Sequence, residues 1–296
     1  MTVSATRLPT TVTTPARPEP VRRRQRRQSQ FPAYLVLTIL GLFAIGPAVL
    51  MVFNAFKSNA QIGANPLTPP TSLSWSNFFT AWSDGDYATT MRNSVILVAG
   101  SILGTLTISG LAAYALSHLR VPGSGGVIAY LFLGSAMPVQ LFVVPLFSLW
   151  TSLHLTDSLF GLMVIYWATD APFATLLLRS FLLGVPKDYV EAARVQGASE
   201  LQITRRVVLP LAWPGFMTVA LVVGLWTWNE FFWAITFIHD PTKRPISTSF
   251  LAFQDQYSTD WGLTSAAALF MLLPVVLLFL VLQRRFVAGL TSGGLK

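Results

Sequence analysis

The chain has 296 residues, of which 53% are hydrophobic and only 11% charged, against roughly 25% charged in an ordinary soluble domain. So apolar a chain cannot keep most of its surface in water, which excludes a simple soluble fold and turns attention to membrane spans. A formal net charge of +8 accompanies a complete absence of cysteine, so disulfides, thiolate metal sites and cysteine nucleophiles are excluded too.

Residues 1–30 are rich in Thr, Pro and Arg and end in VRRRQRRQSQ. With so little apolar content the stretch cannot offset the entropy of ordering itself, and it is expected to be a disordered tail. Arg22, Arg23, Arg24, Arg26 and Arg27 could form a nucleic-acid arm. A span follows at once, however, so they are read as a topological anchor on the cytoplasmic side, with no nucleic acid as partner. The run from Phe31 is too long for a signal-peptide core and no A-x-A site follows it, so a retained span is expected.

Six apolar segments follow, at 31–56, 92–117, 125–150, 156–180, 212–237 and 263–284, each near the roughly 20 residues that a spanning helix needs. The fold expected is an all-α polytopic membrane protein with six transmembrane helices, occupying residues 31–288. HLRVPGSGG separates the second and third segments, with Pro122, Gly123 and Gly125 as helix breakers, and TSLHLTDS separates the third and fourth. With the N-terminus inside, sixteen of the 20 Lys and Arg residues fall on the inner side, leaving Lys57, Arg92, Lys243 and Arg244 outside. That bias places both termini, including a C-terminal tail at 289–296, in the cytoplasm. Of the outer loops, 57–91 ends in an aromatic amphipathic piece suited to the interface, and 238–262 is polar enough to sit in water and touch a partner.

Between the fourth and fifth segments lies a cytoplasmic loop at about 181–211, containing EAARVQGASELQITRRVVLP. Pro186 suits a first helical turn, and Asp188 complements the helix dipole there. Ala192 and Ala193 keep one side of the helix thin. Gly197 supplies the positive φ that ends it. Ser199 with Gln202 forms a capping box that starts a second helix. Pro210 is expected to stop that helix by biasing Leu209 out of helical space. The residues leave two readings open: an amphipathic connector on the lipid headgroups, with Glu191 paired to Lys187 or Arg194, or a knob for a partner's groove.

Glu-Ala-Ala, three residues, Gly, then Leu-Pro ending thirteen positions after that Gly resembles the EAA loop of ABC importer permeases. NSVILVAGSILGTLTISGLAAYALS (93–117), WTWNEFFWAITFI (226–238) and GLTSGGLK (289–296) are similar to the carbohydrate-uptake branch, in particular its maltose-type six-span subunit. The resemblance implies a type I ABC importer permease fold, with a coupling helix seated in a cytoplasmic ATPase. It assigns ATPase coupling to Glu191, Ala192, Ala193, Gly197 and Ala198, with Leu209 and Pro210 closing the motif. One departure is Gln196, where the family usually has Asp. The partners implied are a cytoplasmic ABC ATPase dimer, a second homologous permease, an extracellular or periplasmic solute-binding protein, a sugar substrate and membrane lipid.

None of the four lysines follows a glycine, so no Gly-Lys-Ser/Thr phosphate loop exists, and His118, His154 and His239 form no H-E-x-x-H pair. No catalytic residue, metal ligand or cofactor is expected, and ATP hydrolysis is assigned to a separate subunit. Two carboxylates fall within expected spans, where an ionisable group is costly. Asp170, beside Pro172, could line the transport path or satisfy backbone groups loosened by the proline. Glu230, in WTWNEFF with Trp226 and Asn229, could contact a docked binding protein or the substrate, or hold an ordinary interfacial position, and Trp226, Trp228 and Trp233 could stack on sugar rings or anchor at the interface. Alternatives are an ABC permease for an amino acid, polyamine or phosphate compound, or an ion-coupled secondary carrier.

Overall fold

In a computed structural model, residues 31–254 and 259–293 are described, with backbone alone for 31, 32 and 282–293. The basic tail at 1–30, the side chains of Arg284 and Arg285, and residues 294–296 of the C-terminal tail thus lie outside the described residues. The chain divides into two compact units, residues 1–46 and 47–296. In the first, the described residues open a helix, Phe31–Ala55 (α1), that carries no charged side chain.

The second unit continues α1 and adds Asn59–Ala64 (α2), Ser76–Asp84 (α3), Tyr87–His118 (α4), Ser124–Ala136 (α5), Val143–Ser152 (α6) and Leu159–Leu183 (α7). Then come Lys187–Val195 (α8), Glu200–Ile203 (α9), Leu209–Asn229 (α10), Phe232–Phe237 (α11), Ile246–Ser249 (α12) and Trp261–Gly293 (α13). The protein is all-α: among the described residues the one β feature is an isolated bridge between Gln254 and Thr259. Among the described residues five helices are long and apolar enough to cross a membrane, and there are six if a sharply bent pair counts as one span.

That broken pair corrects the third expected span. The segments Ser124–Ala136 and Val139–Ser152 meet at 87°. Pro138 is the cause, because its ring keeps the preceding residue out of helical space, and Met137 is extended at φ −75°, ψ 137°. The fifth span also differs. It ends at Asn229 rather than 237, and Glu230 is extended before the separate helix α11 begins. At its other end, α9 does not stop at Pro210. Residues Thr204–Val208 form a π-turn that leads straight into α10, and Leu209 is helical at φ −60°, ψ −45°. The Leu209 N–H bonds to Thr204 O, five residues back. That wider turn accommodates a proline that offers no N–H and whose ring crowds the preceding turn.

α4 and α7 approach closely because small residues line their seam. Trp167 of α7 lies over Gly104, where an added Cβ would fall 2.1 Å from the indole. Its Nε1 donates to Gly100 O at 2.9 Å. Ser101, Thr105 and Ser109 of α4 are fully buried at four-residue intervals. α10 packs on both helices through Val219 and Val223, which share a core with Tyr114, Leu178 and Leu182. Trp228 of α10 donates to Met271 O of α13 at 3.0 Å.

The connections at 57–91 and 238–262, expected outside, are more ordered than their polarity suggests. Lys57 is 2% exposed, and its ammonium donates to Asn54 Oδ1 at 3.3 Å and to the carbonyls of Asn65 and Pro66, each at 3.2 Å. Those acceptors offset the cost of burying a cation that has no carboxylate partner among the described residues. Part of the 238–262 loop is likewise folded inward. All four residues of α12 are buried. Asn93 Nδ2 donates to Thr242 O at 2.9 Å and to Arg244 O at 3.0 Å, and the Ile246 N–H donates to Ser94 Oγ at 2.8 Å.

Candidate functional site

Two groups of residues stand out, one in the loop between α7 and α10 and one on facing surfaces of those helices. In the loop, α8 begins just after Pro186 and carries Asp188 in its first turn. It ends in a Schellman arrangement: the Ala198 N–H bonds to Ala193 O at 3.1 Å and the Gly197 N–H to Arg194 O at 3.0 Å. Closing those two bonds needs a left-handed residue between them, and Gly197 has φ +80°. Ser199 and Gln202 then form the complete capping box of α9.

The alanines divide between two sides. Ala193 and Ala198 pack against the buried core, close to Val190 and Ile203, whereas Ala192 is exposed. The outward face of the loop also presents Tyr189, Val195 and Leu201, with Val195 88% exposed. Glu191 is exposed on it. Neither Lys187 nor Arg194 pairs with Glu191 among the described residues. Arg194 instead bonds Glu200, with its Nη2 2.7 Å from Oε1. That corrects the expected pairing, and it leaves an unpaired carboxylate beside apolar side chains on an accessible face. Gln196 is the exposed C-cap. Leu209 lines a small apolar cavity with Leu106, Gly110 and Phe216, while Pro210 is exposed.

In the second group, Tyr166, Asp170 and Phe173 fall on one stripe of α7 by their spacing of four and three residues. Two rungs connect that stripe to the end of α10. The Tyr166 hydroxyl donates to Glu230 Oε2 at 3.0 Å, and the rings of Phe173 and Trp226 lie 5.0 Å apart. Asp170 sits between the rungs, half-buried. Its carboxylate receives the Thr169 hydroxyl at 3.4 Å and makes no bond to backbone near Pro172 among the described residues. Trp226 is 45% exposed.

Glu230 has other partners. Its Oε1 accepts the Trp233 N–H at 2.9 Å and its Oε2 the Ala234 N–H at 3.1 Å, so it anchors the start of α11. Asn229 is exposed and donates to Leu225 O of its own helix at 2.8 Å. Trp228 and Trp233 are buried, 9% and 4% exposed, so neither presents an open ring face in this structure. Sequence reasoning missed Tyr166 and Phe173. Their helical spacing from Asp170 was the available signal.

In the connection between α6 and α7, Asp157 clasps a distant segment, residues 237–240. Its Oδ1 accepts the N–H groups of His239 and Asp240, and its own N–H bonds to Phe237 O at 2.9 Å. The backbone donors of Asp240 and His239 hold its carboxyl below the usual carboxylate range.

Comparison with known proteins adds to this geometry. The family described as "Binding-protein-dependent transport system inner membrane component" matches residues 105–292. Among curated relatives, the probable ABC transporter permease protein YurM of Bacillus subtilis is 35% identical over 88% of this chain and 87% of its own. The sulfoquinovosyl glycerol transport system permease protein SmoH of Agrobacterium fabrum is 32% identical over 90% of this chain and 93% of its own. The diacetylchitobiose uptake system permease protein DasC of Streptomyces coelicolor is 30% identical over 88% and 94%. Among solved structures, a bacterial ABC transporter involved in the import of the acidic polysaccharide alginate shares the fold. It has a TM-score of 0.76 and 24% identity, covering 90% of this chain and 100% of that one.

Proposed function

Because this chain belongs to the family of binding-protein-dependent transport system inner membrane components, we infer that it is the multi-pass permease of an ATP-driven importer for a sugar or an oligosaccharide. Relatives named for sulfoquinovosyl glycerol, diacetylchitobiose and arabinooligosaccharides support the substrate class. A solute-binding protein delivers the sugar outside, and a pair of ABC ATPases with a second homologous permease completes the complex. The polypeptide itself performs no covalent chemistry. It alternates between two states that bind the substrate differently, and ATP-driven closure of the ATPases selects between them. Both termini and the α8–α9 loop face the cytoplasm, as the distribution of Lys and Arg favours.

The observation that carries this reading is α8. It is a short helix with a fixed glycine end, packed inward through Val190 and Ala193 and offering Glu191, Ala192 and Val195 outward. A partner with an apolar groove and a cation opposite Glu191 fits that face. Within the membrane, Asp170 is the acceptor for sugar hydroxyls and Trp226 with Phe173 offers an apolar wall. Glu230 orients α11 and Tyr166.

A photo-crosslinking residue at Val195 tests the coupling assignment. In the assembled complex it is expected to capture the ATPase, while the same group at buried Ile203 captures none. An assembled, transporting complex with no capture from Val195 would remove α8 from the ATPase interface.

A further inference from the structure

One carboxylate joins three elements on the inner side of the protein. Glu200 is the first residue of α9, held there by the Ser199–Gln202 capping box. Its Oε1 accepts two bonds from Arg194 in the last turn of α8, from Nε at 2.9 Å and Nη2 at 2.7 Å. Its Oε2 accepts the hydroxyl of Tyr114, which lies 86 residues away near the end of α4.

The two ends of this link differ in rigidity. Arg194 and Glu200 are 45% and 47% exposed in their side chains. An ion pair so open to water contributes at most about 1 kcal/mol to stability. Tyr114 is 6% exposed, packs in the core with Leu178, Leu182, Val190 and Ile203, and stacks on His118 with ring centroids 5.4 Å apart and planes 10° apart. Its phenol cannot swing away without opening that core. A buried hydroxyl also needs an acceptor, and a carboxylate is a strong one.

The covalent paths from α8 to the spans run back through residues 184–186 into α7 and forward through α9 and the π-turn into α10. The link through Glu200 reaches α4, the helix whose glycine seam holds α7. We propose that Glu200 is a positioning residue that ties the α8–α9 loop to Tyr114, so that a push on α8 moves α4 together with α10. The proposal rests on the coupling reading of α8 given above. Apolar contacts from Val190, Ala193, Ala198 and Ile203 hold the loop against the core but permit sliding. The Tyr114–Glu200–Arg194 bonds are directional, and they fix the register in which the push arrives. Without them, motion of α8 would reach α7 and α10 along the chain, and α4 only through its packing against them.

The test uses the complete complex, purified through this chain and reconstituted with its binding protein. Tyr114→Phe keeps the ring in the core and removes the donor, and Glu200→Gln removes the charge that holds Arg194. In both variants complex yield and binding-protein-stimulated ATP hydrolysis are expected to stay near wild type, while solute transported per ATP falls by about fivefold or more, the low end of ordinary coupling energies. Exchanging the charges, with Arg194→Glu and Glu200→Arg together, is expected to restore much of the ratio, because the new arginine can bond both partners. An unchanged ratio in Tyr114→Phe and Glu200→Gln would overturn the proposal. So would a lower yield of complex whose surviving molecules transport at the normal ratio, since that marks a purely structural bond. If crosslinking from Val195 to the ATPase also fails in the wild-type complex, the coupling reading itself has failed rather than the tie.

Discussion

Single residues divide by whether their partners are local. Gly197, Ser199 and Gln202 act within one turn of chain, so their roles were legible in EAARVQGASELQ before any fold was known. Gly197→Ala is expected to cost about 1–2 kcal/mol from left-handed strain alone, since no atom lies within 4 Å of the added Cβ. Gly197→Pro removes the N–H that closes the Schellman turn as well, and uptake assays should find it inactive. Glu230 was legible only as a carboxylate in an apolar run, because Tyr166 lies 64 residues away. Of the two carboxylates, Asp170 has only the neighbouring Thr169 hydroxyl as a hydrogen-bond partner among the described residues. Asp170→Asn is expected to reduce uptake about tenfold, the effect of one charge-assisted bond of about 1.4 kcal/mol, while stimulated ATP hydrolysis persists. Full uptake by Asp170→Asn would take the residue off the path. Asp157 offers a pH test. A carboxyl lowered by backbone donors contributes stability that is complete above the unfolded value of about 3.9, and that stability is lost as pH falls through the folded value. The clasp should therefore be constant from about pH 6 to 8. Asp157→Ala should speed tryptic cleavage after exposed Lys243 equally across that range, and unchanged cleavage would contradict the clasp.

Elements were legible where apolar length set them and misread where a proline met a specific backbone. α4, α7 and α13 follow from long apolar runs with few charges, and their positions agree with the sequence to within a few residues, apart from the C-terminal extension of α13 and the early start of α4. Pro138 and Pro210 illustrate the difficulty. Both sit in apolar sequence, yet one breaks its span by 87° and the other is absorbed by a π-turn. Nothing in residue type separates them, because the outcome depends on whether a five-residue bond can form upstream. Pro210→Ala restores an N–H and permits ordinary helical register through 204–208. Removing the extra residue of the π-turn would rotate α8 and α9 by about 100° relative to α10, moving Glu200 away from Tyr114. Uptake should fall with membrane insertion unchanged. Transport at the wild-type rate would mean that the π-turn sets no register.

At the scale of the whole molecule, charge gave an orientation and apolar length gave a span count, but neither could show which helices form the centre. The α4–α7 seam, with α10 across it, comes from glycines and buried hydroxyls whose meaning appears only when the helices meet. A reporter fused at Gly197 should read cytoplasmic and one within Pro241–Lys243 external. Both on one side would mean that α10 does not cross, and the two exchanged would mean that the broken pair does not. The central claim is that ATP, delivered through α8, drives a sugar across this chain. It is tested most directly in proteoliposomes holding the complex purified through this subunit, with binding protein and labelled oligosaccharide outside. Uptake is expected only when ATP is enclosed with the ATPases, and it should be indifferent to an imposed proton or sodium gradient. Uptake driven by such a gradient without ATP would contradict the account.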